Sequence, residues 1–154
     1  MRSFALVAVA LAVLLLFAGR PSHAKNFDHA GLAREFLEDH LRPGYARLGK
    51  DMSALVHEAD TFCERPAKTG LEPLRNAFRE AVLAWSAVSP IRFGPVMDDH
   101  RHARMLYWPD RKSLGFRQIR RAIKTRDKSV LTEKDLAEKS VAMQGLSAIE
   151  QLLF

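Results

Sequence analysis

The fold class follows from one stretch of sequence, Leu74-Arg-Asn-Ala-Phe-Arg-Glu-Ala-Val-Leu-Ala-Trp-Ser-Ala-Val88. Its apolar residues recur every three or four positions, which is the spacing of one face of an α-helix. Residues 45–62 have the same spacing, and no alternating pattern long enough for a β-strand occurs after the first 24 residues. The sequence therefore predicts an all-α protein.

Other helices are predicted around this stretch. We expect a first helix over 28–41, which Pro43-Gly44 ends, and a helix over 113–124 with Phe116, Ile119 and Ile123 turned inward. Thr69 and Glu72 have the spacing of a capping box for the helix of the stretch above, and Thr132 can cap the last helix. Residues 140–154 contain one charge and apolar residues on all sides, which predicts a fully buried helix.

The first 24 residues have the pattern of an export signal. Arg2 precedes an uninterrupted apolar run from Phe4 to Ala18, which is shorter than the roughly 20 residues of a membrane span. Ser22-His-Ala24 supplies small residues for cleavage after Ala24, and no cysteine follows the run to carry a lipid. We therefore expect residues 1–24 to be a cleaved signal peptide. The domain of residues 25–154 would then lie in the periplasm or cell envelope, with no stable membrane span and no lipoprotein anchor.

Composition is that of a folded globular protein. The 154 residues are 47% hydrophobic with a formal net charge of +6, which excludes a disordered acidic chain. Cys63 is the only cysteine, so no internal disulfide can form, and we expect it to be buried as a small apolar residue. Four basic residues lie on the other side of the 113–124 helix: Arg117, Arg120, Arg121 and Lys124. Export argues against nucleic acid as their partner and favours a solvated face, with anionic sugars or lipid head groups as the second interpretation.

Two groups of residues are candidates for a metal site. Glu150 is the only charge in residues 140–154 and needs either an ion pair, from Arg101 or Arg104, or a bound metal. Asp98, His100 and His102 lie in a long connection whose carboxylate and imidazole groups suit iron, copper or zinc. An ordinary solvated loop is the favoured explanation of the second group, whereas for Glu150 the ion pair and the metal both stay open.

Protease and hydrolase motifs are incomplete. His57-Glu58 begins like the zinc-protease HExxH motif, but Thr61 stands where the second histidine is needed. Gly145-Leu-Ser147 fails the G-x-S-x-G pattern at its last position and lacks the preceding strand. These motifs predict no catalytic residue.

Three blocks of sequence carry a resemblance to a known family. The blocks are, in order, Phe93-Gly-Pro95 after Trp85, Tyr107-Trp-Pro-Asp-Arg111, and residues 140–154. Together they resemble the imelysin family, also called insulin-cleaving membrane protease-like proteins. The resemblance implies an up-and-down helical bundle, export, and a link to iron uptake with other iron-uptake or envelope proteins as partners. Because family members are typically more than twice this length, we expect a chain truncated at its C-terminus after the first bundle, without cover for its last carbonyls.

The resemblance also implies a functional motif, G-x-H-x-x-E. Gly145 and Glu150 match it, whereas Ser147 stands at the histidine position and is a poor transition-metal ligand. Structural roles are implied for six further residues: Trp85, Gly94, Pro95, Arg104, Trp108 and Pro109. The sequence favours a non-catalytic exported domain that binds iron or another ligand, with a metallopeptidase or an inactive remnant as the alternatives.

Overall fold

The structure is a computed structural model that describes residues 27–154. The chain divides into two units, residues 1–35 and residues 36–154. Within the first unit, α1 spans His29–Glu35, and the carboxylate of Asp28 accepts a hydrogen bond from the Gly31 N–H at 2.8 Å. The predicted signal peptide lies outside the described residues.

The second unit is built from helices and helical turns. It begins with a π-helical turn at Phe36–Leu41 and continues into the long helix α2, Arg42–Glu64. The remaining helices are α3 (Pro66–Thr69), α4 (Glu72–Val88), α5 (Arg101–Met105), α6 (Leu114–Thr125), α7 (Glu133–Ala137) and α8 (Gly145–Leu153). Short 3-10 segments cover Gly94–His100, Lys128–Val130 and Val141–Met143. No strand occurs in residues 27–154, which confirms the all-α prediction.

Helices α2 and α4 form an antiparallel pair that holds most of the core. Near the start of α2, a Cβ added to Gly44 would meet the Val88 side chain at 2.8 Å, so this side chain packs directly on the backbone of Gly44. The predicted apolar face of α4 is confirmed, because all five of its members are buried: Leu74, Phe78, Ala81, Trp85 and Val88. Leu48 and Leu55 of α2 are buried against them. The pattern succeeds here because both helices are long and bury one continuous face.

Helix α8 closes the core, although not as the sequence predicted. The expected single buried helix over 140–154 is wrong: a 3-10 turn precedes α8, which begins at Gly145, and Glu150 and Leu152 are exposed. Only the face with Leu146 and Leu153 packs into the core. Its last turn is also covered, because Arg75 Nε donates to the Leu153 carbonyl at 2.8 Å. The expectation of uncovered final carbonyls is therefore wrong for that group.

Predicted helix ends differ from the observed ones for local reasons. Pro43 does not end a helix, because it sits in the first turn of α2, where its missing N–H is not needed. Leu71, not Thr69, is the N-cap residue of α4, whose first turn again contains a proline. Thr132 does cap a helix, by accepting from the Asp135 N–H at 3.1 Å, but this helix is α7 and not the last one.

Two burial predictions are wrong as well. Phe116 and Ile123 are exposed on α6, and the buried positions of that helix are Gly115, Ile119 and Ala122. The inward face is narrower than expected because Gly115 lets the helix lie directly against the backbone of Ala142. Cys63 is exposed near the end of α2 and is not part of the core. In the described part of the chain, no helix is long and apolar enough to cross a membrane.

Candidate functional site

The start of α8 fixes the geometry of the G-x-S-x-x-E segment. Gly145 has a φ of +64°, and a Cβ at this position would collide with the carbonyl oxygens of Arg104 and Met105. Only glycine combines a positive φ with such a close backbone approach at little cost. Gly145 therefore allows α8 to begin directly against the end of α5.

Ser147 joins α8 to the segment that follows α5. Its Oγ accepts a hydrogen bond from the Tyr107 N–H at 2.9 Å and lies 3.5 Å from the Tyr107 carbonyl oxygen. Both contacts are partly buried, and they bridge 40 residues of sequence. The hydroxyl thus satisfies a backbone group that no helix pairs.

Asp110 performs a similar role at the next helix. Its two carboxylate oxygens accept the N–H groups of Leu114 at 2.6 Å and Gly115 at 2.9 Å, in the first turn of α6. A carboxylate at a helix N-terminus is stabilised by the orphan N–H groups and by the helix dipole. Asp110, Ser147 and Glu150 all line one small cavity of about 110 Å³, together with Trp108 and Phe116.

Glu150 does not have the partner that the sequence predicted. It is exposed on α8, and neither predicted arginine binds it. Arg101 pairs with Asp99 at 3.2 Å and donates to the Pro95 carbonyl at 3.0 Å, while Arg104 donates to the Ala137 carbonyl at 3.3 Å. The prediction failed because it assumed a buried carboxylate, whereas an exposed one is stabilised by water.

The predicted ligands of the 98–102 loop are not gathered with Glu150. Asp98 and His100 are exposed, and His102 Nε2 donates to the Ser89 carbonyl at 2.9 Å with its ring 5.0 Å from that of Trp85. This hydrogen bond occupies Nε2, so only Nδ1 of His102 remains available to another partner. Among residues 27–154, no group of three or more His, Cys, Asp or Glu side chains could hold a metal ion. The iron, copper or zinc site expected from the sequence therefore stays a prediction, with no such cluster among the described residues to support it.

The residues expected to be structural occupy different environments. Trp85 is 2% exposed in the core, whereas Trp108 is 80% exposed and precedes Pro109 through a cis peptide bond. Gly94 has a φ of +70°, and Pro95 follows it in the first turn of the 3-10 segment. This pair lets the chain turn sharply after α4, back over Trp85.

Sequence reasoning missed an apolar cavity beside Trp85. It has a volume of about 530 Å³ and lies between α2, α4 and the segment from Ile91 to Met105. The polar groups on its wall are few, chiefly the Tyr45 hydroxyl and the Arg101 guanidinium. The available signal was the long connection after α4, because long structured connections often cover ligand sites. Its apolar lining is Leu41, Leu48, Trp85, Ile91, Phe93, Pro95, Val96 and Met105.

The sequence of this region matches a known protein family. The family model described as imelysin, which is named for a peptidase family, matches residues 41–154. The chain belongs to the imelysin family. No curated protein and no solved structure matches it significantly.

Family membership gives the α8 segment a context. This segment contains the residues that the sequence resemblance assigns to the G-x-H-x-x-E motif: Gly145, Glu150 and, at the histidine position, Ser147. The matched region contains the α2/α4 pair, the 530 Å³ cavity and the whole of α8. The candidate functional site of the imelysin domain therefore consists of the cavity beside Trp85 and the small cavity at Ser147 and Glu150.

Proposed function

We propose that this imelysin domain is an exported, non-catalytic binding domain of the periplasm or cell envelope. The hydrogen bond from the Tyr107 N–H to Ser147 carries the proposal. At the histidine position of the motif, the chain has a hydroxyl that holds two segments together, and no imidazole faces a substrate or metal from there. The segment then keeps a structural role, but Ser147 cannot supply the nitrogen ligand that a metallopeptidase site would need at this position.

The apolar cavity beside Trp85 supports a ligand-binding role. A cavity of about 530 Å³ with an apolar wall is in the size range of small-molecule sites. Arg101 at this cavity already pairs with Asp99, so its charge is partly neutralised and the cavity favours a largely apolar molecule. The proposal also includes a role in iron uptake with other envelope proteins as partners, because resemblance to the imelysin family implies it.

Metal binding is the second candidate function. One observation favours it: Asp110, Ser147 and Glu150, whose side chains carry oxygen atoms, line the same cavity of about 110 Å³. Oxygen ligands of this kind suit a hard cation better than copper or zinc. Asp110 already accepts two N–H groups from α6, which leaves Glu150 as the freest donor of the three.

A dye titration tests the ligand-binding proposal. The probe is 8-anilinonaphthalene-1-sulfonate, an anionic dye with an aromatic body whose fluorescence rises in apolar sites, added to the full chain and to a Phe93→Ala variant. Phe93 lines the cavity and is itself exposed, so its removal spares the core. We expect binding to weaken by about fivefold, equivalent to about 1 kcal/mol.

The matched control is Leu83→Ala, which removes an exposed apolar side chain outside this cavity. Equal weakening in both variants would place the dye elsewhere and contradict the cavity as the ligand site. Thermal melts with Fe(II), Fe(III), Mn(II) and Zn(II) address the second candidate. An upward shift that Glu150→Gln removes would favour metal binding instead.

A further inference from the structure

Helix α6 presents an unusually basic outer face. Arg117, Arg120, Arg121 and Lys124 are all exposed on this helix. The segments on either side add further exposed basic residues: Arg111, Lys112, Arg126 and Lys128. We call these eight basic residues, together with the apolar residues Trp108, Phe116 and Ile123, the α6 face.

The positive charge of the α6 face is not neutralised locally. The ion pairs found in the described part of the chain use Arg42, Arg47, Arg75 and Arg101, and none uses a cation of this face. The acidic side chains at the two ends of α6 bind other groups. Asp110 accepts the first N–H groups of the helix, and Asp127 accepts the N–H and hydroxyl of Ser129.

Large apolar side chains border this charge. Ile123 is 57% exposed, Phe116 is exposed seven positions earlier on the same side of α6, and the Arg120 guanidinium lies 5.1 Å from the Phe116 ring centre. Trp108 shares a cavity wall with Phe116, so the most exposed aromatic ring among these residues lies beside the basic helix. The residues of α6 that are buried in the fold are Gly115, Ile119 and Ala122. The large apolar side chains of Phe116 and Ile123 therefore stay on the outer surface.

We propose that the α6 face docks on the surface of an anionic lipid bilayer. Arginine and lysine are attracted to lipid phosphates, and each contributes to binding within a Debye length of the surface. Tryptophan, phenylalanine and isoleucine enter the boundary between head groups and acyl chains. An acidic polysaccharide would use the cations but offers no apolar phase for Trp108, Phe116 and Ile123, so the observations favour lipid. This role is independent of which ligand the Trp85 cavity takes.

Tryptophan fluorescence gives a direct test on the full chain. The protein has two tryptophans, and Trp85 is buried, so quenching by brominated lipids reports on contact at Trp108. The probes are vesicles of brominated phosphatidylcholine, with and without phosphatidylglycerol. We expect quenching with the anionic vesicles, little with the neutral ones, and its loss as salt is raised.

Charge-reversal variants assign the contact to α6. Arg117→Glu with Arg121→Glu should raise the lipid concentration for half-maximal quenching by about tenfold or more. The matched control, Lys50→Glu with Arg92→Glu, changes the net charge equally at exposed positions away from α6 and should shift it by less than about twofold. Ile123→Ser should weaken quenching without changing its salt dependence. The N-terminal residues are identical in every variant, so a difference between two variants is assigned to the substituted residues.

Three results would overturn the proposal. These are equal quenching by neutral and anionic vesicles, equal effects of the α6 and control variants, and no quenching of Trp108 by any vesicle. Soluble heparin, a polyanion without an apolar phase, distinguishes binding of a polysaccharide from binding of a membrane. If heparin binds, the α6 reversal abolishes that binding and vesicles leave Trp108 unquenched, the face recognises a polysaccharide and not a membrane.

Discussion

Ser147 Oγ accepts the backbone N–H of Tyr107 at 2.9 Å, and this bond fastens α8 to the segment between α5 and α6. The relationship explains how a serine can replace a motif histidine without loss of the local fold. A hydroxyl is short and reaches the backbone directly, so the two segments lie close together. Under the proposed function, this position supports the site without taking part in chemistry.

Replacing Ser147 by alanine should lower the free energy of unfolding by about 1–3 kcal/mol, because the partly buried Tyr107 N–H loses its acceptor. Urea denaturation followed by circular dichroism measures the change. The control is Ser86→Ala, whose hydroxyl donates to the Leu83 carbonyl on an exposed helix surface and should matter by less than about 0.5 kcal/mol. Equal effects would mean that the Ser147 bond has no special structural role.

Gly145→Ala should destabilise the protein by about 3 kcal/mol or more, because the added Cβ meets two carbonyl oxygens at a backbone φ of +64°. Gly49→Ala is the opposite case, since nothing lies within 4 Å of the added Cβ in the middle of α2. That variant should gain about 0.5–1 kcal/mol from helix propensity. Thermal melts of both proteins check the pair, and a tolerated Gly145→Ala would contradict the close approach of α8 to α5.

Arg75→Ala should cost about 1–2 kcal/mol, because the last turn of α8 loses a charged donor to the Leu153 carbonyl. The Arg75 guanidinium also lies 5.3 Å from the centre of the Phe154 ring. Glu72→Gln removes only the exposed ion pair of Arg75 and should change stability by less than about 1 kcal/mol. If the two variants were equally affected, the ion pair and not the α8 contact would explain the stabilisation.

The pKa of Asp127 should lie below its ordinary value of 3.8, chiefly because the Ser129 hydroxyl, and then the Ser129 N–H, donate to the carboxylate; nearby Lys139 adds to the effect. A lowered pKa stabilises the fold above the unfolded value, and this stabilisation is lost as the pH falls through the folded value. Carboxyl-carbon NMR titration measures it. Ser129→Ala should move the midpoint back toward 3.8, and an unchanged midpoint would refute the assigned cause.

The parts of the fold that the sequence predicted are those that depend on one helix at a time. The buried face from Leu74 to Val88 repeats over 15 positions and meets a partner of similar length, so periodicity alone identifies it. The 140–154 segment was predicted wrongly because its break at Gly145 depends on the backbone of Arg104, far away in sequence. One-sided packing of α8 is likewise a tertiary property.

The candidate site was less predictable for the same reason. Residue types at 98–102 suggested metal ligands, yet which nitrogen of His102 is free depends on the Ser89 carbonyl, which only the folded chain brings to its Nε2. Glu150 was expected to need a partner because its neighbours in sequence are apolar. Glu150 is in fact exposed, because none of the described residues packs over its side of α8. An exposed carboxylate needs no protein partner.

A proteolysis assay tests the central claim most directly. The full chain, loaded in turn with Zn(II) and Fe(II), is incubated with reduced and carboxymethylated lysozyme, with and without a chelator, beside a Glu150→Gln variant. The account predicts no chelator-sensitive cleavage by the wild-type chain and no difference from the variant, because Ser147 supplies a structural hydroxyl where a metallopeptidase of this motif needs a nitrogen ligand. Cleavage that the chelator stops and Glu150→Gln abolishes would contradict the account and make this chain a metallopeptidase.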